Sequence, residues 1–258
     1  MVKRPKLCPP CSGWVSDLPE PTSPPTVPAS LWDNNPNHMD GNYLEISRPS
    51  SLARTLMLGF APILAVCLFL SFQILWPDRD EPYVYQSFLL GALGFSLSFC
   101  ALFFLLKSNI CPPRDLPIRF NRVRQRIYAY NFNYRWWNPF ERWTVAPVAY
   151  DWSQVRAERW SKRGVLPNGG IIFKWGVVLS IVEPGTNKVI DRFPLSTMDA
   201  DEFAWAYICT YMQNGPKALP PPGIPRNHND VPWYNIALRL APKVQWPADM
   251  DRESRTAP

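Results

Sequence analysis

Histidine is nearly absent from this chain. Two occur in 258 residues, which leaves little room for imidazole acid–base or metal chemistry. Glycine is sparse at 12, against 30 prolines. No G-x-S-x-G, HExxH, Walker A loop or GxGxxG is present, and Gly164 and the Gly169-Gly170 pair read as turn glycines. The acids Glu141, Asp151, Glu158, Glu183 and Asp191 are scattered. His38 and His228 stand in Asn-rich segments with no partner to fix a tautomer. An enzyme is hard to build from this inventory: the sequence predicts no catalytic residue, no metal site and no cofactor. Asp151 with Arg119 is the least poor pair for a hidden active site. As a turn carboxylate, Asp151 is better explained by capping nearby amides.

Charge is also missing from two long stretches. Residues 55–76 and 84–106 contain no Asp, Glu, Lys or Arg. A hydrocarbon core of ~30 Å needs about 20 helical residues, and a soluble helix keeps a polar stripe, so the reading is a transmembrane hairpin. Pro62 predicts a kink in the first helix. Gly91, Ala92, Gly94 and the serines Ser87, Ser96 and Ser98 give the second a small-residue surface. With no GxxxG, the two helices are expected to pack on each other. The loop 77–83 carries one basic and three acidic residues, whereas Lys107, Arg114, Arg119, Arg122, Arg124 and Arg126 follow the second run. The positive-inside rule then places both termini in the cytoplasm. The first run does not look like a cleaved signal peptide, having no A-x-A site after it.

With 47% hydrophobic residues and a net charge of +6, the chain can bury a core outside these runs. Residues 1–54 read as a Pro-rich tail, extended or disordered across 19–28, with Leu31-Trp32 and 43–46 as patches able to dock. Cys8 and Cys11 form a CxxC pair with neither the folded context of a redox site nor the second ligand pair of a zinc site. Residues 107–215 read as a β-rich domain. Its strands are expected at 117–121, 126–131, 143–148, 154–158, 170–175, 176–182 and 188–195, with turns at 122–125 and 184–187. Short links make neighbouring strands antiparallel. One amphipathic helix follows, 200–213, with capping-box spacing at Ser196, Asp199 and Glu202 and a Gly215-Pro216 stop. The fold class is therefore α+β: a helical hairpin, then an antiparallel sheet or half-barrel capped by a helix. The prolines of 216–258 predict an irregular tail in which only Trp233, Tyr234, Ile236 and Leu238 dock.

The densest charge feature is Arg119, Arg122, Arg124 and Arg126. Topology and lipid contact, at ~1 kcal/mol per cation near anionic lipid, explain it better than a protein partner, and a protein partner better than nucleic acid. The strings 118–122, Ile127-Tyr128, Asp151-Trp152, 155–157, 191–193 and above all W-x-Y-I-x-x-Y-M-x-x-G-P at 205–216 resemble a family of bacterial inner-membrane proteins of unassigned function. That resemblance covers roughly 45–222. It implies two membrane helices, a cytoplasmic β-rich domain and a place beside type VI secretion effectors, as immunity or accessory proteins. The domain is also similar to pleckstrin-homology modules, a likeness of fold that carries no function. A non-enzymatic inner-membrane protein that binds an effector or secretion component is the leading expectation, and a membrane scaffold or lipid-binding adaptor the alternative.

Overall fold

The computed structural model describes residues 4–31, 35–48, 51–76, 83–135, 137–138, 140–165, 170–195, 202–222, 227 and 229–258. Two helical stretches, Leu56–Ile74 and Val84–Ile110, are long and apolar enough to cross a membrane. The first is interrupted. Helix α1 (Ser51–Leu58) ends in a turn at Gly59 and Phe60, and α2 (Ala61–Ile74) restarts with Pro62 in its first turn. Proline clashes with the carbonyl four residues back but is favoured where no N–H is needed. The discontinuity therefore precedes the proline. Helix α3 (Val84–Ile110) is unbroken and about 40 Å long at 1.5 Å per residue. It packs on α2 through its small residues. A Cβ on Gly91 would come within 2.9 Å of the Ile74 and Leu75 backbone, and one on Gly94 within 2.8 Å of the Ser71 hydroxyl. The remaining surface is exposed and apolar. The expected loop 77–83 lies outside the described residues except Tyr83.

Two antiparallel sheets form the rest. Strands β2 (His38–Met39), β3 (Tyr43–Ile46), β4 (Ile118–Asn121), β5 (Arg126–Asn133) and β6 (Thr144–Asp151) make one, in that order. The other runs β1 (Trp14–Asp17), β7 (Val155–Val165), β8 (Ile171–Val182), β9 (Val189–Pro194). Pro147 can sit in β6 because that strand is a sheet edge. A single 3-10 turn, Trp152–Gln154, carries the chain from one sheet to the other. The buried Trp152 marks the crossing, edge-on to Phe120 at 6.0 Å and 5.5 Å from Trp205.

Helix α4 (Glu202–Asn214) closes the core with Trp205, Ile208, Tyr211 and Met212 all buried. It stops at Gly215, whose φ of +83° places it in the left-handed region that glycine tolerates. The turn after β8 uses Gly185 the same way, at φ +74°. The predicted strands from 117 to 195 match β4–β9, with 170–175 and 176–182 continuous as β8. The capping residues Ser196 and Asp199 lie outside the described residues.

The two tails require correction. The N-terminal segment supplies β1 to one sheet and β2–β3 to the other. Its proline-rich stretch is not free. Trp205 Nε1 donates to the Pro19 carbonyl at 2.9 Å, and Gln213 Nε2 to those of Pro21 and Ser23 at 2.7 and 3.0 Å. The segment turns at 21–23, where the Ser23 N–H donates to the Glu20 carbonyl at 2.9 Å, and the Pro19, Pro21 and Ser23 carbonyls are left to donors from α4. The C-terminal segment forms α5 (Ile236–Leu240) and α6 (Ala248–Arg255). Of its expected docking residues, Leu238 is buried while Trp233, Tyr234 and Ile236 are exposed.

Ile208 is fully buried between α4 and the sheets. Ile208→Ala in the full chain is expected to cost about 2–5 kcal/mol, read by chemical unfolding in detergent. A loss within 0.5 kcal/mol would show that α4 does not pack as described.

Candidate functional site: the arginine hairpin and the cleft at the helix base

Strand β4 is buried on both faces, which decides the fate of its arginine. Ile118 and Phe120 point into the core, while Arg119 and Asn121 point the other way, beneath α6. Arg119 has no exposed surface. Its guanidinium donates to Glu45 at 2.5 Å, Asp251 at 2.7 Å and the Ser254 hydroxyl at 2.8 Å, and lies 4.5 Å from the centre of the Trp246 ring. A planar fork that reaches two carboxylates and stacks on an aromatic face is work for arginine, not lysine. Asn121 Nδ2 donates to the carbonyls of Ser254 and Thr256 at 3.1 and 3.0 Å, satisfying groups that a helix C-terminus leaves unpaired.

The other predicted contact residues behave alike. Arg124 donates to Thr256 and Ala257 carbonyls, and Arg126 bonds Asp151 at 3.2 Å and Glu253 at 2.7 Å. Arg122 packs against Gly215, where an added Cβ would meet its guanidinium at 3.3 Å. Arg119 therefore cannot touch lipid or a partner, and Arg124 and Arg126 hold the chain's own segment 253–257. Asp151 pairs with Arg126 rather than with Arg119. His38 stacks on Tyr43 at 4.3 Å and bonds Asp40 at 3.0 Å, and His228 lies outside the described residues.

The CxxC pair is also tied down. Glu158 is fully buried in β7. It accepts from the Cys11 backbone N–H at 2.9 Å and the Ser180 hydroxyl at 2.5 Å, and pairs with Arg192 at 3.1 Å. Arg192 in turn donates to the Pro9 carbonyl. Burial, then the Glu158 charge, push the Cys11 thiol up to about 11. Reactive CxxC thiols are shifted the other way, so Cys11 is not an activated thiol.

The large concavity lies elsewhere, at the base of the helix pair, with a volume of about 950 Å³. Met57, Leu64, Phe104 and Leu105 form its helical wall, and Phe132, Val148 and Phe193 its sheet wall. Trp143 stands at the lip, where Lys107 Nζ lies 4.9 Å from its ring and donates to the Glu141 carbonyl at 2.8 Å. Arg48 fixes the base, donating to the carbonyls of Pro194 (3.2 Å), Tyr130 (2.9 Å) and Leu116 (2.5 Å). Burial draws its guanidinium down to about 10, against the opposing pull of Asp115, so it remains a cation at neutral pH. Arg54 donates to the Pro112 and Pro113 carbonyls at 3.2 and 2.8 Å, tying the start of α1 to the end of α3. Beside the cleft, Tyr150 donates to Asp191 at 2.8 Å, and burial with this bond pushes its phenol up to about 12. Among the described residues no group of three or more His, Cys, Asp or Glu could hold a metal ion. The cleft escaped sequence reasoning because its walls come from five separate segments.

These features describe a helix pair clamped to a two-sheet α+β domain. The chain belongs to the family of unknown function DUF6708, which matches residues 95–258. The match includes the C-terminal segment that docks on β4 and β5, although the resemblance read from the sequence stopped near 222. No curated protein and no solved structure matches the chain.

Arg119→Ala would take the paired cation from the buried Glu45, while Asp251 would keep Arg255 at 3.0 Å, and removing one partner of a buried ion pair typically costs about 3–5 kcal/mol. Unfolding of the full chain in detergent should show that loss, with residues 248–255 becoming accessible to protease. Alkylation at pH 7.5 tests the CxxC loop. Cys8 is exposed and Cys11 buried, so mass spectrometry should find Cys8 labelled and Cys11 protected until denaturant is added.

Proposed function

We propose that the protein is a non-enzymatic binding protein of a bacterial inner membrane. It crosses the membrane twice, holds both termini in the cytoplasm, and serves as an immunity or accessory protein for a type VI secretion effector. The cleft of about 950 Å³ at the helix base supports this reading most directly. Its walls are apolar helix on one side and sheet on the other, so it offers a partner one continuous surface reaching from membrane depth to the cytoplasmic domain. The two sheets closed by α4 also suit a pleckstrin-homology-like module, a likeness of fold alone. Lys107 in the last turn of α3 and the five arginines that follow at 114–126, against one cation in the loop 77–83, support the orientation.

A reporter active only in the periplasm should be silent after Pro258 and active when inserted at Asp80; the reverse pattern would overturn the orientation. Binding without turnover makes a second demand. In cells carrying the effector encoded beside it, the combined change Asp151→Asn, His38→Ala, His228→Ala should leave protection close to wild type. Asp151 loses only an exposed ion pair, worth about 0–1 kcal/mol. Loss of protection at unchanged abundance would mean that the protein is an enzyme.

A further inference from the structure

The hairpin of β7 and β8 is longer than the domain it belongs to. On β8 the residues Val177, Leu179 and Ile181 face the core and are fully buried. The same face continues outward through Trp175, Phe173 and Ile171, joined across the ladder by Ser161, Arg163 and Val165. Here the core has run out. Val165 is 79% exposed, Ile171 63%, and Phe173 and Trp175 51% each. Strand β1 covers β7 as far as the Trp14–Trp160 pair, with one further bond from the Ser161 N–H to the Gly13 carbonyl at 2.8 Å. Strand β9 reaches only Val178, opposite Pro194. Beyond Gly176, opposite Trp160, β8 runs on outward through Ile171–Trp175, about 17 Å, and with Ser161–Val165 of β7 it forms a two-stranded ribbon whose residues are all exposed.

Charge on the ribbon has one sign. From residue 159 to 182 there is no Asp or Glu, and there are four cations, Arg159, Lys162, Arg163 and Lys174. Arg159 is paired with Glu202 of the domain at 2.6 Å. Lys162 and Lys174 stand directly opposite each other on one face. Like charges in that position are destabilising unless an anion lies against them. Arg163 lies 5.4 Å from the Phe173 ring on the other face. Exposed aliphatic and aromatic side chains beside cations are what an anionic bilayer interface accommodates: rings and chains at the headgroup boundary, ammonium and guanidinium groups among phosphates. A second copy of the chain would bring the same cations. Nucleic acid would leave Val165 and Ile171 uncovered. The ribbon also starts at the helix base, because the Pro194 carbonyl that marks its last covered position accepts from Arg48, three residues before α1.

We infer that the β7–β8 ribbon is a second membrane contact, inserting residues 161–165 and 171–175 into the interface of an anionic bilayer. This rests on the reading that the helix pair lies in that bilayer.

Hydrogen exchange of the full chain in nanodiscs tests it. In discs containing phosphatidylglycerol, amides of 171–175 should exchange at least tenfold more slowly than in discs of phosphatidylcholine alone. The double substitution Lys162→Gln, Lys174→Gln should remove most of that difference. So should Ile171→Ser with Phe173→Ser, while both variants keep wild-type exchange in β4 and α4. Equal exchange in the two discs would overturn the ribbon contact and leave the anchor standing. Failure of the chain to enter either disc would overturn both. Slowing produced by polyglutamate or by a DNA oligonucleotide, and not by anionic discs, would assign the ribbon to a soluble partner and overturn the proposal.

Discussion

A single buried cation sets the order of the structure. Arg119 sits in the middle of β4 with one carboxylate from the N-terminal third of the chain and another from its last helix. Taking a guanidinium and a carboxylate out of water costs several kcal/mol per ion, and only good geometry with further hydrogen bonds repays it. Both conditions are met. Glu45 also accepts from Asn37, and Asn37 donates to Asp115, whose other oxygen receives the Arg48 backbone N–H. A continuous polar chain thus runs from the helix base through β3 and β4 to α6. Such a network is rigid when complete and costly when any member is missing, which makes the three distant segments interdependent.

The elements read from sequence were those whose signal is local. The two charge-free runs, the alternation through β4–β9, and the stop at Gly215-Pro216 each carry their information within a dozen residues. The tails failed for a different reason. In β3 every residue of Tyr43–Ile46 is buried, so there is no alternation to detect, and its partner lies more than 70 residues away. Helix α6 is polar and has no apolar stripe. It docks by charge and carbonyl contacts, for which hydrophobic periodicity offers no sign.

The arginine hairpin shows how a correct strand reading can misplace a residue: Arg119 is fully buried, while Arg122, Arg124 and Arg126 keep part of their surface in solvent. Ile-Arg-Phe-Asn at 118–121 alternates as a half-buried strand should, and its arginine reads with Arg122, Arg124 and Arg126 as a contact for lipid or a partner. The outer face is covered, however, by the chain's own C-terminal helix. Basic residues near a membrane helix and basic residues that clamp a helix look alike until the covering element is known. The β7–β8 ribbon is the reverse case. Its apolar, β-branched pattern suits a core strand, yet the core ends at Val177.

The tie between Arg54 and the Pro112-Pro113 carbonyls has a kinetic consequence. Strand β3 must find β4 across a closed segment of more than 70 residues, and closing a flexible loop of that length is slow and entropically costly. The α2–α3 hairpin removes most of that search, because its two ends emerge side by side and deliver β3 next to β4. During synthesis the N-terminal strands would therefore wait unpaired until both helices have paired. The Arg119 site would stay half-built until Asp251 leaves the ribosome and reaches β4.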